Sequence, residues 1–569
     1  MDSNSSTDTT AHSTEMDVEK RQDLQRRISQ TTEEGHDANI PSSAGYALDE
    51  AGEFKRRQSI QDQKRRASSA GGEKSDGIDL ENGADKAVTN TEDEDPNVVF
   101  WDGPDDPENP YNWPVWKKAV NCGLISAMTL FSPLASSIFA PAIPEVEAEF
   151  HNSSLEIASF VVSVYLLGFA FGPLIIAPLS EMYGRVIIYH VCNVGFVAFT
   201  VACALAPTLN ALIGFRFVAG LFGVSPLTIG GGSIADMVTQ ENRGAVLSLY
   251  SVGPLLGPII GPIAGGFLSS AKGWRWNFWL IAIFMGFITI VMLIFAKESY
   301  APIILQRKAD RLRKETGNPL FRSKLDVGLS TADFFKRGAV RPLKMLVLSP
   351  IVWIMALYTA ITYGYLYLEF TSITEVFQET YGFSTSVVGL AFLGLGVGSF
   401  LGVTIYSVTS DRYIRRKAAE ADRKAEAMGT EKKGMKPEYR LQLLPYGAAL
   451  VPAGLFIYGW TAQYKIHWIV PIIGTGIGGI GNLLVFLCIQ TYLVDAFTVY
   501  AASAVATNTV IRSIAGAVLP LAGLQLYATL GLGWGNSLLA FIAVALLPVS
   551  VVMLKCGERL RTKYAIKDL

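Results

Sequence analysis

From Ala119 to Lys555 the chain returns again and again to apolar runs of about 20 residues, each long enough at ~1.5 Å per residue to cross the hydrocarbon core of a bilayer. Twelve such runs fall near 119–141, 157–179, 186–206, 210–235, 244–268, 276–296, 345–368, 386–409, 442–462, 468–494, 500–528 and 535–555. Lipid offers no water to bond the backbone, so a run of this length is committed to helix. The sequence therefore predicts an all-α membrane protein with 12 transmembrane helices, which the polar segment 298–344 divides into two six-helix halves. Five regions follow: a disordered cytosolic N-terminal tail (1–116), the first half (117–297), a cytosolic central loop (298–344), the second half (345–556) and a cytosolic C-terminal tail (557–569).

Charged residues are 17% of the chain, against about 25% in soluble domains, and they concentrate in the first 118 residues and in particular loops. A formal net charge of −2 without a basic patch excludes nucleic acid as the expected partner. The five cysteines lie in or beside apolar runs without metal or redox spacing, so neither metal nor cofactor is expected. A Walker loop, a nucleophile elbow and an HExxH pair are all missing, which argues against an ATP-driven pump and against an enzyme. The first hundred residues hold no apolar stretch long enough for a signal peptide, so the first membrane helix directs insertion.

Orientation follows from the Lys and Arg excess of cytoplasmic loops. Eleven basic residues from Arg307 to Lys344 and ten from Arg412 to Arg440 fall on one side, while Glu145, Glu147, Glu149, Glu156, Glu375 and Glu379 fall on the other. Both termini are then cytosolic in a multi-pass protein of the cell membrane, the plasma membrane being favoured over the vacuole. Asn152-Ser153-Ser154 becomes an outward sequon, with Asn152 as a glycosylation candidate close to the membrane. The tail carries Arg-Arg-x-Ser three times, ending at Ser29, Ser59 and Ser68, a pattern that basophilic kinases phosphorylate and that chance also produces in such a composition.

Inside the runs, a few polar residues stand out. Arg216 is a cation in the fourth run, where it is costly unless it pairs or faces water, so function is its first reading and folding glue its second. The fifth run reads Gly253-Pro254-x-x-Gly257-Pro258-x-x-Gly261-Pro262-x-x-Gly265-Gly266, leaving one face nearly free of side chains for close approach of another helix. The seventh run offers Tyr358, Tyr363, Tyr365, Tyr367 and Glu369, where rings and a carboxylate near the outer mouth would hold a cationic amphiphile; an interfacial aromatic belt is the alternative. Asn508 and Arg512 stand one turn apart in the eleventh run, either facing a cavity or marking a helix end.

Between the second and third runs stands Ala177-Pro178-Leu179-Ser180-Glu181-Met182-Tyr183-Gly184-Arg185. It resembles the signature loop of the major facilitator superfamily, Gly-x-Leu-Ala-Asp-Arg-x-Gly-Arg, with Leu179, Gly184 and Arg185 matching and Glu181 in place of Asp. The fifth-run repeat is similar to the antiporter motif of the 12-helix drug:proton branch, and Arg216 with Gly220 resembles that branch's Arg-x-x-x-Gly. The flanks Trp274 to Trp279 and Lys297 to Pro302 look like those of fungal multidrug exporters. The resemblance covers about 113–561 and implies a gate made of Glu181, Arg185 and Asp236, with proton coupling through Arg216. It also implies export of small organic molecules (drugs, toxins or metabolites) in exchange for protons by alternating access, and a monomer is expected. Two rivals keep the same fold: an importer or facilitator of a nutrient or polyamine, and a transporter-like receptor.

Overall fold

The computed structural model describes residues 97–564, other than 104, 152–153, 327–330, 428–435 and 498–500. Ser29, Ser59, Ser68 and Asn152 lie outside the described residues. The first half opens with α1 (Val115–Ser137) and short α2 (Ile143–Phe150), followed by α3 (Leu155–Tyr183) and α4 (Arg185–Ala204). Then come α5 (Leu209–Gly223) with α6 (Ser225–Met237), α7 (Gln240–Lys272) and α8 (Arg275–Phe295). A bridging pair, α9 (Ala301–Thr316) and α10 (Thr331–Leu348), leads to α11 (Pro350–Tyr381), α12 (Thr385–Ala427), α13 (Leu444–Gln463), α14 (Ile469–Ala496) and α15 (Ala501–Lys563).

Among the described residues, 11 helical stretches are long and apolar enough to cross a membrane, six before α9 and five after it. The last, α15, has 63 residues and breaks at Gly531, whose φ of 76° and ψ of 167° no helix contains. At ~1.5 Å per residue an unbroken α15 would be about three times the hydrocarbon thickness, and each of its arms exceeds the roughly 20 residues one crossing needs.

Two faces of the bundle are defined by charge. The acidic end carries α2, with Glu145, Glu147 and Glu149, and the basic end carries α9, α10 and the 3₁₀ turn Pro437–Leu443. Contacts between the halves join α3 to the first arm of α15 and α7 to α12. They include the Ser163 hydroxyl donating to the Ala517 carbonyl at 2.8 Å and the Thr374 hydroxyl to the Ala140 carbonyl at 3.3 Å.

Two polar regions differ from the sequence expectation. The segment 298–344 is not simply a loop: α9 and most of α10 lie within it. Nor is the tail without structure up to residue 116, because β1 (Val98–Val99) pairs in parallel with β2 (Arg322–Ser323). Lys308 of α9 reaches Asp102 at 2.6 Å and Asp106 at 3.5 Å, while Arg311 reaches Glu108 at 3.2 Å. A β pairing of two residues is marginal by itself, and these ion pairs tie the same stretch to α9. The basic cluster after the eighth run is also partly helical, since α12 continues past the apolar stretch through Arg412, Arg415, Arg416, Arg423 and Lys424.

Candidate transport site and gates

A single residue, Gly184, separates α3 from α4, and its φ of 101° is the left-handed conformation that lets the chain reverse in one step. The turn exposes the first N–H groups of α4, and Glu298 accepts from them: Arg185 N–H to Oε1 at 3.0 Å and Val186 N–H to Oε2 at 3.2 Å. A carboxylate there also offsets the positive end of the helix dipole. The Arg185 side chain folds inward, with Nε 3.3 Å from Asp236 Oδ2, Nη1 donating to Ser180 Oγ at 2.7 Å and the guanidinium stacked on the Tyr300 ring at 4.4 Å. The charge of Glu181 also acts on Arg185. The residues proposed from sequence as a gate are thus brought together. Glu298 and Tyr300 complete the cluster and were missed as members of it; the signal was a Glu two residues past the sixth run, on the same side as Arg185.

At the basic end of the second half a comparable knot pairs Arg440 with Asp495 at 2.8 Å and with Asp411 at 3.0 Å. Arg561 pairs with Glu438 at 3.0 Å beside it.

The small-residue face of α7 lies on α1. A Cβ on Gly253 would stand 2.9 Å from Leu130 N, and one on Gly257 2.8 Å from Leu130 O. Added to Gly261 it would strike the Ser137 hydroxyl, and to Gly265 the Ile138 carbonyl oxygen. Gly266 turns instead to α12, where Thr385 O would lie 2.8 Å from a Cβ, and Gly389 approaches Pro262 O in return. Pro254, Pro258 and Pro262 remove three backbone donors from the same helix. Helix α7 therefore has two backbone-to-backbone seams, one within its half and one across to the other.

Arg216, 1% exposed, lies between α1 and α3 and donates from Nη2 to the carbonyls of Ser136 at 3.2 Å and Val162 at 3.3 Å. The rings of Phe139, Tyr165 and Phe278 surround the guanidinium at 5.2, 5.5 and 5.6 Å. No carboxylate among the described residues pairs with it, and Nε has no acceptor. Its connection runs through Ser136: that hydroxyl donates to Pro133 O at 2.8 Å and so accepts from the Tyr367 hydroxyl of α11 at 3.0 Å. Tyr367 packs on Tyr363 at 5.1 Å, and Tyr363 lies under the Arg512 guanidinium at 4.6 Å. Buried Arg216 in the first half and half-buried Arg512 in the second are joined by this short path.

Helical phase divides the polar residues of α11. Tyr363, Tyr367 and Phe370 lie on the side facing α1 and Arg512, with Tyr367 and Phe370 at 5.5 Å. Tyr365 and Glu369 point the other way, into the second half: the Tyr365 hydroxyl donates to Leu539 O at 3.0 Å. Glu369 lies well inside α11, 5% exposed, with Tyr458 of α13, Tyr527 of α15 and Gly478 of α14 around it. The expected cage of Tyr363, Tyr367 and Glu369 at the outer mouth is therefore not assembled, since Glu369 is mid-helix and faces away from the two rings. Asn508 and Arg512 do share a face: Asn508 Nδ2 donates to Gln490 Oε1 at 3.2 Å, and Arg512 sits over Tyr363 and, at 5.5 Å, Phe486.

Comparison with known proteins agrees with this architecture. The chain is 54% identical to the MFS-type transporter tndD of Aspergillus flavipes, over 83% of this chain and 86% of that one. It is 50% identical to the efflux pump radE of Floropilus chiversii, over 83% and 86% of the two chains. Among solved structures, a bacterial homolog of the human lysosomal transporter Spinster, inward-facing and unoccupied, superposes with a TM-score of 0.58 at 14% identity, over 80% of this chain and 100% of that one. The xylose transporter XylE from E. coli gives 0.55 at 15% identity, over 77% and 98%. These two share the fold. The family model of the Major Facilitator Superfamily matches residues 125–520, and with relatives of this identity along most of its length the chain belongs to that superfamily of membrane transporters.

Proposed function

We propose that this protein exports small organic molecules in exchange for protons, by alternating access of two six-helix halves, with both termini cytosolic. Twelve crossings follow if α15 turns at Gly531. Export draws support from a relative named as an efflux pump and from the continuous seams of α7, which leave no side-chain-sized gap for leak beside α1. Coupling to protons rests on Glu369. It is a carboxylate inside a membrane-spanning helix, and no Lys, Arg or His among the described residues pairs with it. The groups facing it are Tyr458 from α13, Tyr527 from α15 and its own neighbour Ser372, with Gly478 on α14. Burying an unpaired carboxylate is costly in its ionised form, so proton binding and the buried arrangement of α11 stabilise one another. Release of that proton favours a conformation that gives Glu369 water, and the gradient across the membrane then biases the cycle in one direction.

The test is efflux from fungal cells lacking their own exporters, loaded with a panel of toxic compounds and dyes. Expression should speed the loss of a subset of compounds, and a protonophore should return that loss to the background rate. Uptake instead of loss, or efflux untouched by the protonophore, would contradict the reading.

A further inference from the structure

Arg512 is a second intramembrane cation, and no carboxylate among the described residues neutralises it. A guanidinium stays protonated at any physiological pH, so it holds a full charge where the surroundings are apolar. Its neighbours are flat: Tyr363 under one face at 4.6 Å, Phe486 at 5.5 Å and Tyr367 next to Tyr363. One turn away Asn508 is fully buried; its Nδ2 is used by Gln490, but its Oδ1 has no donor, and Arg512 Nε has no acceptor. Orphaned polar atoms in such a place are expected to find partners, and here the missing partners are an anion for the guanidinium and a hydroxyl for the amide oxygen. The site also lies where the halves meet, because Gly516 of α15, which packs against Tyr363, also faces Leu166 of α3, and Tyr367 bonds Ser136 of the first half. Glu369, the acid that would attract a cation, faces away from it.

We propose that Arg512, Asn508, Tyr363 and Phe486 form the recognition site for the exported molecule, and that this molecule is a flat aromatic organic acid carrying a hydroxyl group. The carboxylate or phenolate takes the guanidinium fork, the ring system stacks on Tyr363 and Phe486, and the hydroxyl donates to Asn508 Oδ1. The proposal rests on the export reading for its direction, but not for binding itself. It also links cargo to voltage: exchanging one proton inward for one anion outward moves two charges in the same sense, so an inside-negative potential should accelerate export.

Fluorescein and rhodamine 6G make a matched pair of xanthene dyes, one an acid with a phenolic hydroxyl, the other a cation. Binding to purified full-length protein, followed by fluorescence anisotropy, should favour fluorescein by at least about tenfold, the worth of a hydrogen bond to a charged group. Arg512→Gln should erase that preference, Arg512→Glu should invert it towards rhodamine 6G, and Asn508→Ala should weaken fluorescein alone. Inversion of preference is a result that a misfolded variant cannot give. Equal binding of the two dyes, a preference retained by Arg512→Gln, or no binding of either at about 1 mM would overturn the proposal. Binding without efflux of fluorescein from cells would keep the site and sink the export reading, whereas efflux without an anion preference would do the reverse.

Discussion

Gly265→Ala should greatly reduce the amount of folded protein and stop transport, whereas Gly286→Ala, one helix away, should change neither. Both substitutions add one methyl to a membrane helix, and both favour the helix by intrinsic propensity. They differ in what the methyl meets. On Gly265 it lands on the carbonyl oxygen of Ile138, a backbone atom that cannot rotate aside, while on Gly286 it meets nothing within 4 Å. Relief at Gly265 requires α1 to move away from α7, and α1 carries Ser136, the link between Arg216 and Tyr367. Overpacking of this kind costs roughly 1–3 kcal/mol or more, a large part of a total stability of about 5–15 kcal/mol. Thermal unfolding monitored by size exclusion checks the pair; similar behaviour of the two variants would mean that the α1–α7 seam is not a tight one.

Arg216→Lys should be nearly as damaging to export as Arg216→Ala, lowering the initial rate by about 10–100-fold, the equivalent of losing a charge-assisted hydrogen bond. One nitrogen of Arg216 bonds two carbonyls from different helices while the planar group packs among three rings. An ammonium keeps the charge but loses the planar stacking surface, and burying it is harder because it is more strongly hydrated. If charge alone mattered, Lys would rescue, and efflux of Arg216→Lys at the rate of the unaltered protein would show that. Variants that reach the membrane in normal amount separate this loss from a folding defect.

Most of the fold was legible because lipid leaves the backbone one solution: the apolar runs fix the helices, and the Lys and Arg excess gathers at one end of them. What escaped were features governed by partners far away in sequence. The ordered stretch around Val98 reads as tail because its pairing strand, Arg322–Ser323, lies more than two hundred residues on. Glu298 reads as a plain helix flank because the α4 N–H groups it caps belong to another loop. The aromatics of α11 are a different case, since the information was local. Counted in succession they look like one cluster; at 100° per residue Tyr363 and Tyr367 separate from Tyr365 and Glu369, and that phase already decides which of them meet Arg512. The partial match of the loop at Gly184 was enough to point to Arg185 and Asp236 as partners, and the two side chains meet at 3.3 Å.

Glu369 offers the most direct test of proton coupling. In proteoliposomes containing the full-length protein, a compound exported by cells is followed in two modes, exchange without a gradient and accumulation driven by an imposed pH gradient. Glu369→Gln has the shape of the protonated side chain but cannot release a proton. It should keep exchange and lose gradient-driven accumulation, while Glu369→Asp keeps both. Accumulation by Glu369→Gln that responds to the gradient as fully as the unaltered protein would contradict the account, and would place the transported proton on another group.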